Sequence, residues 1–184
     1  MKGLLWVFML LTMGVKVSAE TGWKPFAETL RVPLTARQHE VTLNRQAVSL
    51  AMMHKDPLDN QARMEVANTL LFLQEYHQAT DWYLRVFTRD AYRSDAAIRF
   101  AECLYLSGDV PAALQVIRQL ERAGIQHPVL LTLVAEVAYE QQAYDTCLTR
   151  LEQAQKALPG HAEPDSPLAM YLDGNLQAVR ALVK

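Results

Sequence analysis

Residues 100–114 read FAECLYLSGDVPAAL, and several of their positions return at intervals of 34 residues along the chain. One of these columns is alanine throughout, at Ala67, Ala101, Ala135 and Ala169. Two neighbouring columns are apolar, and their members are Val66, Phe100, Val134 and Leu168, then Leu70, Leu104, Ala138 and Leu172. A sustained period of this length is typical of helical repeat proteins, which usually bind other proteins.

A second column of small residues follows the turn inside each repeat, at Ala79, Ala113 and Cys147. Small side chains at matched points on two helices let the helix axes approach closely. Pro111 and Pro128 stand where a helix begins, and Gly124 stands where one ends. The pattern therefore predicts pairs of helices joined by short turns.

The first segment has the composition of a secretory signal peptide. Lys2 precedes an apolar stretch from Leu4 to Val15, and small residues end at Ala19. The stretch would reach only about 18 Å as a helix, short of a hydrocarbon core of about 30 Å. We expect export from the cytoplasm, most naturally to a bacterial periplasm, with no stable membrane insertion after cleavage.

The rest of the chain divides around the repeats. The predicted parts are a signal peptide at 1–19, an extended arm at 20–34, an N-terminal capping helix at 35–57, three repeats at 58–160 (about 59–92, 93–126 and 127–160) and a C-terminal capping helix at 161–184. Trp23 and Phe26 of the arm are expected to dock on the body or on a partner. The first capping helix begins at Thr35, and its apolar residues are expected to cover the first repeat; they are Val41, Ala47, Val48, Ala51 and Met52. Gly174 predicts a kink in the last helix.

The repeat columns resemble those of the tetratricopeptide repeat (TPR), a superfamily architecture with a 34-residue helix pair. The resemblance implies an all-α, right-handed superhelical array of antiparallel helix pairs, with about three repeats plus capping helices. The chain departs from the family pattern, because Gly108 is the sole glycine of the internal-turn column and the family's glycine column is alanine.

The resemblance also implies a concave groove lined by the first helix of each repeat. Its residues would be Met64, Asn68, Leu71, Phe72, Ile98, Glu102, Tyr105, Leu106, Thr132, Glu136, Tyr139 and Glu140. Their apolar members suit an extended segment or an amphipathic helix, and the glutamates favour a basic partner. The alternative is that some of these residues are core and the acids form a solvated face.

The sequence shows no motif for catalysis, for cofactor or metal binding, or for nucleic-acid binding. A formal charge of -2 gives no basic field for nucleic acid. The five histidines lack metal-ligand spacing, and no nucleotide or cofactor motif appears. Cys103 and Cys147 are expected to be buried free thiols. The chain is therefore interpreted as a non-enzyme without a cofactor or metal.

The leading hypothesis is an exported, non-catalytic scaffold or adaptor that binds a peptide or helix of another protein. It would support assembly of a bacterial envelope, secretion or pilus complex. One alternative is a chaperone for a secreted apolar substrate, similar to the TPR chaperones of type III secretion. Another is the regulatory subunit of an enzyme.

Overall fold

The computed structural model describes residues 22–30, 34–89, 94–159 and 166–183. The predicted signal peptide at 1–19 lies outside these ranges, as do the junctions at 90–93 and 160–165. Every regular element in the described ranges is an α-helix. The helices are α1 Phe26–Leu30, α2 Ala36–Lys55, α3 Asn60–Phe72, α4 Tyr76–Arg89, α5 Ser94–Leu106, α6 Val110–Arg122, α7 Pro128–Glu140, α8 Tyr144–Lys156 and α9 Pro167–Leu182.

The helices repeat with the spacing of the sequence columns. Helices α3, α5 and α7 begin at positions 34 residues apart, and so do their partners α4, α6 and α8. Each of α3, α5 and α7 packs on the partner that follows it along the chain. The predicted all-α fold of TPR-like helix pairs is therefore confirmed.

The chain forms two compact units. The terminal unit combines the described residues 22–30 with residues 127–159 and 166–183, and there α7 packs on α8, α8 packs on α9, and α1 contacts both α7 and α9. The central unit contains the described residues from 34 to 126, in which α2 packs on α3, α3 on α4, α4 on α5 and α5 on α6. The arm and the last repeat thus belong to one unit although they lie at opposite ends of the sequence.

Local chemistry explains where the helices begin. The Thr35 hydroxyl accepts a hydrogen bond from the Gln38 backbone N–H, and the Gln38 side chain accepts one from the Thr35 backbone in return. Asp59, Asp109 and Ser166 cap α3, α6 and α9 in the same way through their side-chain oxygens. These bonds satisfy backbone donors that have no partner within the helix.

The internal turns share one backbone conformation. Gln74, Gly108 and Gln142 all have positive φ, at 64°, 94° and 60°. Glycine adopts this conformation without the steric cost that a side chain brings. The two glutamines therefore carry a local strain at positions where the repeat geometry requires a left-handed residue.

The small-residue columns lie at the helix contacts, as predicted. Ala67, Ala101 and Ala135 of the first helices are fully buried, and so are the matching residues of the second helices, Ala79, Ala113 and Cys147. Tyr83, Ile117 and Leu151 fill the space beside them and are also buried. Both Cys103 and Cys147 are buried free thiols, and burial raises the pKa of Cys147 to about 12.

Enlarging one alanine should separate a helix pair. Ala101→Leu is expected to lower the free energy of unfolding by about 1 to 3 kcal/mol, because the added atoms have no space between α5 and its neighbours. Urea unfolding measures the loss. Ala47→Leu is the matched control, since Ala47 is exposed on α2. Equal stability of the two variants would contradict the contact register.

Helix α2 corrects one expectation. Its predicted apolar face does not cover the first repeat, because Val41, Val48 and Met52 are 51%, 60% and 48% exposed. Thr42 and Ser49 are buried instead. The Thr42 hydroxyl donates to the Gln38 carbonyl oxygen at 2.8 Å, so its burial leaves no unsatisfied polar group.

Two further expectations are corrected at the ends of the chain. The arm is not extended throughout, because residues 26–30 form α1 with Phe26 buried. Helix α9 runs without interruption through Gly174. A glycine costs about 1 kcal/mol in a helix interior, less than the burial of Leu172, Leu176 and Val179 on the same helix contributes.

Candidate functional site

The predicted groove residues of the central unit differ in exposure. Those on the inner side of α3 and α5 are buried, namely Met64, Ile98 and Glu102. Leu71, Tyr105 and Leu106 are half-buried, whereas Asn68 and Phe72 are exposed. Among these residues, Phe72 at the end of α3 therefore exposes the most apolar surface.

A cleft of about 550 Å³ lies between α2 and α3. It contains two of the predicted groove residues, Asn68 and Phe72, together with Val41 of α2. Phe72 and Val41 are both 51% exposed. The other residues that line the cleft are Thr35, Arg37, Gln38, Thr42, Arg45, Glu65 and Thr69.

Three exposed apolar residues of α2 lie on the same side of that helix, and Val41 among them lines the cleft. Val41, Val48 and Met52 follow one another at helical spacing on one side of α2. With Phe72 they form what we term the apolar ridge. An apolar surface bordered by polar residues, as this one is by the Arg45–Glu65 ion pair, is typical of a protein interaction site.

Two polar groups among the predicted groove residues of the central unit already have partners. The Tyr83 hydroxyl donates a hydrogen bond to the Asn68 side-chain oxygen at 2.7 Å. Buried Glu102 pairs with Arg99 at 2.6 Å, and its negative charge raises the pKa of the Arg99 guanidinium. The charge of Glu102 is therefore neutralised by Arg99, and this glutamate adds little negative charge that could attract a basic partner.

The four predicted groove residues of the terminal unit lie on α7. Thr132 is buried, and its hydroxyl donates to the Pro128 carbonyl oxygen at 2.8 Å. Glu140 is exposed, although partial desolvation raises its pKa. Glu136 and Tyr139 are buried, because residues 23–26 of the arm pack on them.

Aromatic rings dominate this contact. The Trp23 ring stacks on Tyr139 with 3.8 Å between ring centroids and 4° between ring planes. Phe26 meets Tyr171 of α9 edge to face at 5.4 Å, and it is almost fully buried. Such pairs add to the free energy gained from burial alone.

Glu136 lies beneath the arm as a buried carboxyl group. Its Oε1 accepts a hydrogen bond from the Phe26 backbone N–H at 3.1 Å, and its Oε2 accepts one from the Tyr171 hydroxyl. Burial raises the pKa of Glu136 to about 7, despite these hydrogen bonds, which favour the charged form. The repulsion of Glu140 raises it further.

Asn175 of α9 holds the arm by its backbone. Its Oδ1 accepts from the Lys24 N–H, and its Nδ2 donates to the Lys24 carbonyl oxygen, both at 2.9 Å. The Lys24 side chain itself is exposed. Asn175 therefore recognises the peptide backbone at this position whatever the side chain.

Comparison with known proteins adds to this geometry. Residues 73–154 match the family model described as anaphase-promoting complex, cyclosome, subunit 3, a repeat family of the tetratricopeptide type. The matched stretch contains the helix pairs that repeat at 34 residues. The predicted resemblance to the tetratricopeptide repeat is therefore confirmed over this stretch.

Curated relatives share the same type of repeat. The chain is 28% identical over 127 residues to the cytochrome c-type biogenesis protein CcmH of Escherichia coli (strain K12) and to that of Shigella flexneri. The match includes 67% of this chain and 36% of the length of each relative. No solved structure matches the chain significantly.

Two other kinds of site find no support in the described parts of the chain. No three histidine, cysteine, aspartate or glutamate side chains there come together as metal ligands. Within the same ranges, no helix combines the length and the apolar character needed to cross a bilayer.

The repeat columns did not indicate that the arm packs on α7. Tyr171 and Asn175 lie outside the twelve predicted TPR groove residues, and neither has a matching residue type 34 positions earlier. The sequence did indicate that Trp23 and Phe26 could dock on the body. It carried no signal for which helices they contact.

Proposed function

We propose that this chain is a non-catalytic TPR adaptor that binds another protein during cytochrome c-type biogenesis. The apolar ridge beside the α2–α3 cleft carries the proposal, because its four residues are exposed on a folded helix pair. The similarity to the two CcmH proteins supports the biological setting.

The shape of the cleft favours a helix or an extended segment as the ligand. Val41, Val48 and Met52 lie at spacings that an amphipathic helix can match with its own apolar residues. The preformed helix pair would lose little conformational entropy when the segment binds. The proposed partner is therefore a protein segment with one apolar face.

We further propose that the chain acts after export, in a bacterial periplasm. This rests on the predicted signal peptide, with its apolar stretch between Lys2 and Ala19. A partner that also lies outside the cytoplasm would then meet the ridge directly.

A complementation experiment tests the adaptor role. In a native host that lacks the chain, Val41→Asp combined with Phe72→Asp should leave c-type cytochrome content near that of the deletion strain. Charged side chains in an apolar contact would be desolvated without partners. Both positions are exposed, so the variant should still fold.

Met170→Asp is the matched control, because Met170 is 61% exposed in the terminal unit. It should restore c-type cytochromes as the wild-type chain does. Full restoration by the double variant, at equal protein level, would refute a role for the ridge.

A further inference from the structure

We propose that the face of α7 and α9 beneath the arm is a second binding site, for an extended partner segment with two aromatic residues three positions apart. Residues 23–26 of the chain would be its built-in occupant, which the partner segment displaces. The site lies wholly within the terminal unit and does not depend on the α2–α3 cleft.

Side-chain recognition at this face combines contacts to two aromatic rings with a hydrogen bond between the Trp23 side chain and Glu136. Tyr139 provides a flat surface on which Trp23 lies at 3.8 Å, and Tyr171 provides a ring edge contact for Phe26 at 5.4 Å. Trp23 also meets Tyr171 at 6.1 Å in an edge arrangement. A ligand therefore needs aromatic residues at the first and fourth positions of the segment.

The face also binds the backbone of the arm through hydrogen bonds to Lys24 and Phe26. Asn175 makes two hydrogen bonds to the backbone of Lys24, and Glu136 accepts one from the Phe26 N–H. Pro25 restricts Lys24 to extended conformations, which suits this pairing. Because the Lys24 side chain is exposed, a partner could carry other residues there.

The mode of attachment makes the occupant replaceable. The contacts described above come from three arm residues, Trp23, Lys24 and Phe26, and α1 has only five residues. The arm is part of the same chain as the face that it occupies. This covalent connection gives the arm an effective concentration on the order of mM at that face. A free segment of equal intrinsic affinity must compete with that concentration, so its apparent affinity is reduced.

A peptide titration tests the inference with the full chain. The probe is a fluorescent peptide of residues 21–30, TGWKPFAETL. Trp23→Ala combined with Phe26→Ala vacates the site, and the peptide should bind this variant at least about tenfold more tightly than it binds the wild-type chain. A peptide with alanine at both aromatic positions should bind neither.

Adding Asn175→Ala to the vacated chain should abolish binding of the probe, since the backbone contacts are then lost. Equal affinity of the wild-type and vacated chains, or no binding by a vacated chain that circular dichroism shows to be folded, would overturn the proposal. A dimer formed by exchange of the arm, lost in the vacated chain, would also overturn it, because the occupant would then be a second copy.

If the vacated chain does not fold, the wild-type chain still decides the question. The indole N–H resonance of Trp23, assigned with Trp23→Phe, should move toward its position in the free peptide as excess probe is added. An unchanged resonance at mM probe would refute displacement.

Discussion

The stability of the terminal unit should fall as pH rises, and Glu136 should be the main cause. We expect the free energy of unfolding to decrease by about 3 kcal/mol as the pH increases from about 4.5 to about 7, the pKa values of this carboxyl in an unfolded and in the folded chain. Urea unfolding at a series of pH values measures the change.

The direction follows from proton binding. Between these two pKa values the folded chain keeps a proton on Glu136 that the unfolded chain has released. Stability from this group is therefore complete below about 4.5 and is lost as the pH rises through about 7. The physical cause is burial beneath the arm and α9, where a charged carboxylate is poorly solvated.

Two variants identify the group. Glu136→Gln keeps an oxygen to accept from the Phe26 N–H but cannot ionise, so this chain should show little loss of stability across the same pH range. Glu140→Gln removes a neighbouring charge that raises the folded pKa of Glu136, so the loss should be smaller and complete at lower pH. A Glu136→Gln chain with the pH dependence of the wild type would contradict the assignment.

Truncating Phe26 should be one of the most destabilising single substitutions in the terminal unit. Phe26 is 1% exposed, and we expect Phe26→Ala to lower the free energy of unfolding by about 3 to 5 kcal/mol. The loss combines buried apolar surface with the edge contact to Tyr171. Urea unfolding followed by far-UV circular dichroism measures it.

Phe72→Ala is the control for this substitution. It deletes the same atoms at a position that is half exposed, so its cost should stay below about 1 kcal/mol. If Phe26→Ala cost no more than Phe72→Ala, the arm would not be a stable part of the terminal unit.

Periodic features of the structure were predictable from the sequence. Ala101 and Ala113 mark a close contact because every matching position is small, and the turn at Gly108 recurs at Gln74 and Gln142 with the same backbone conformation. A 34-residue period constrains neighbouring repeats together, so an array of helix pairs is visible without any tertiary information.

Features that occur once were not predictable. The contacts of the arm with α7 and α9 join residues that are 110 and 151 positions apart, and no repeat column predicts them. The sequence predicts that Glu136 is an accessible acidic residue of the groove, because its sequence neighbours do not reveal which segment covers it. The buried face of α2 was misassigned for a related reason: Thr42 satisfies its own hydroxyl locally and can therefore replace an apolar residue.

Site-specific photocrosslinking at Phe72 is the most direct test of the proposed adaptor role. With p-benzoylphenylalanine at position 72 in the native host, we expect a crosslink to a protein of cytochrome c-type biogenesis, identified by mass spectrometry. The same probe at exposed position 170 should not give this product. The same crosslinked proteins at both positions, or none at position 72, would contradict partner binding at the α2–α3 cleft.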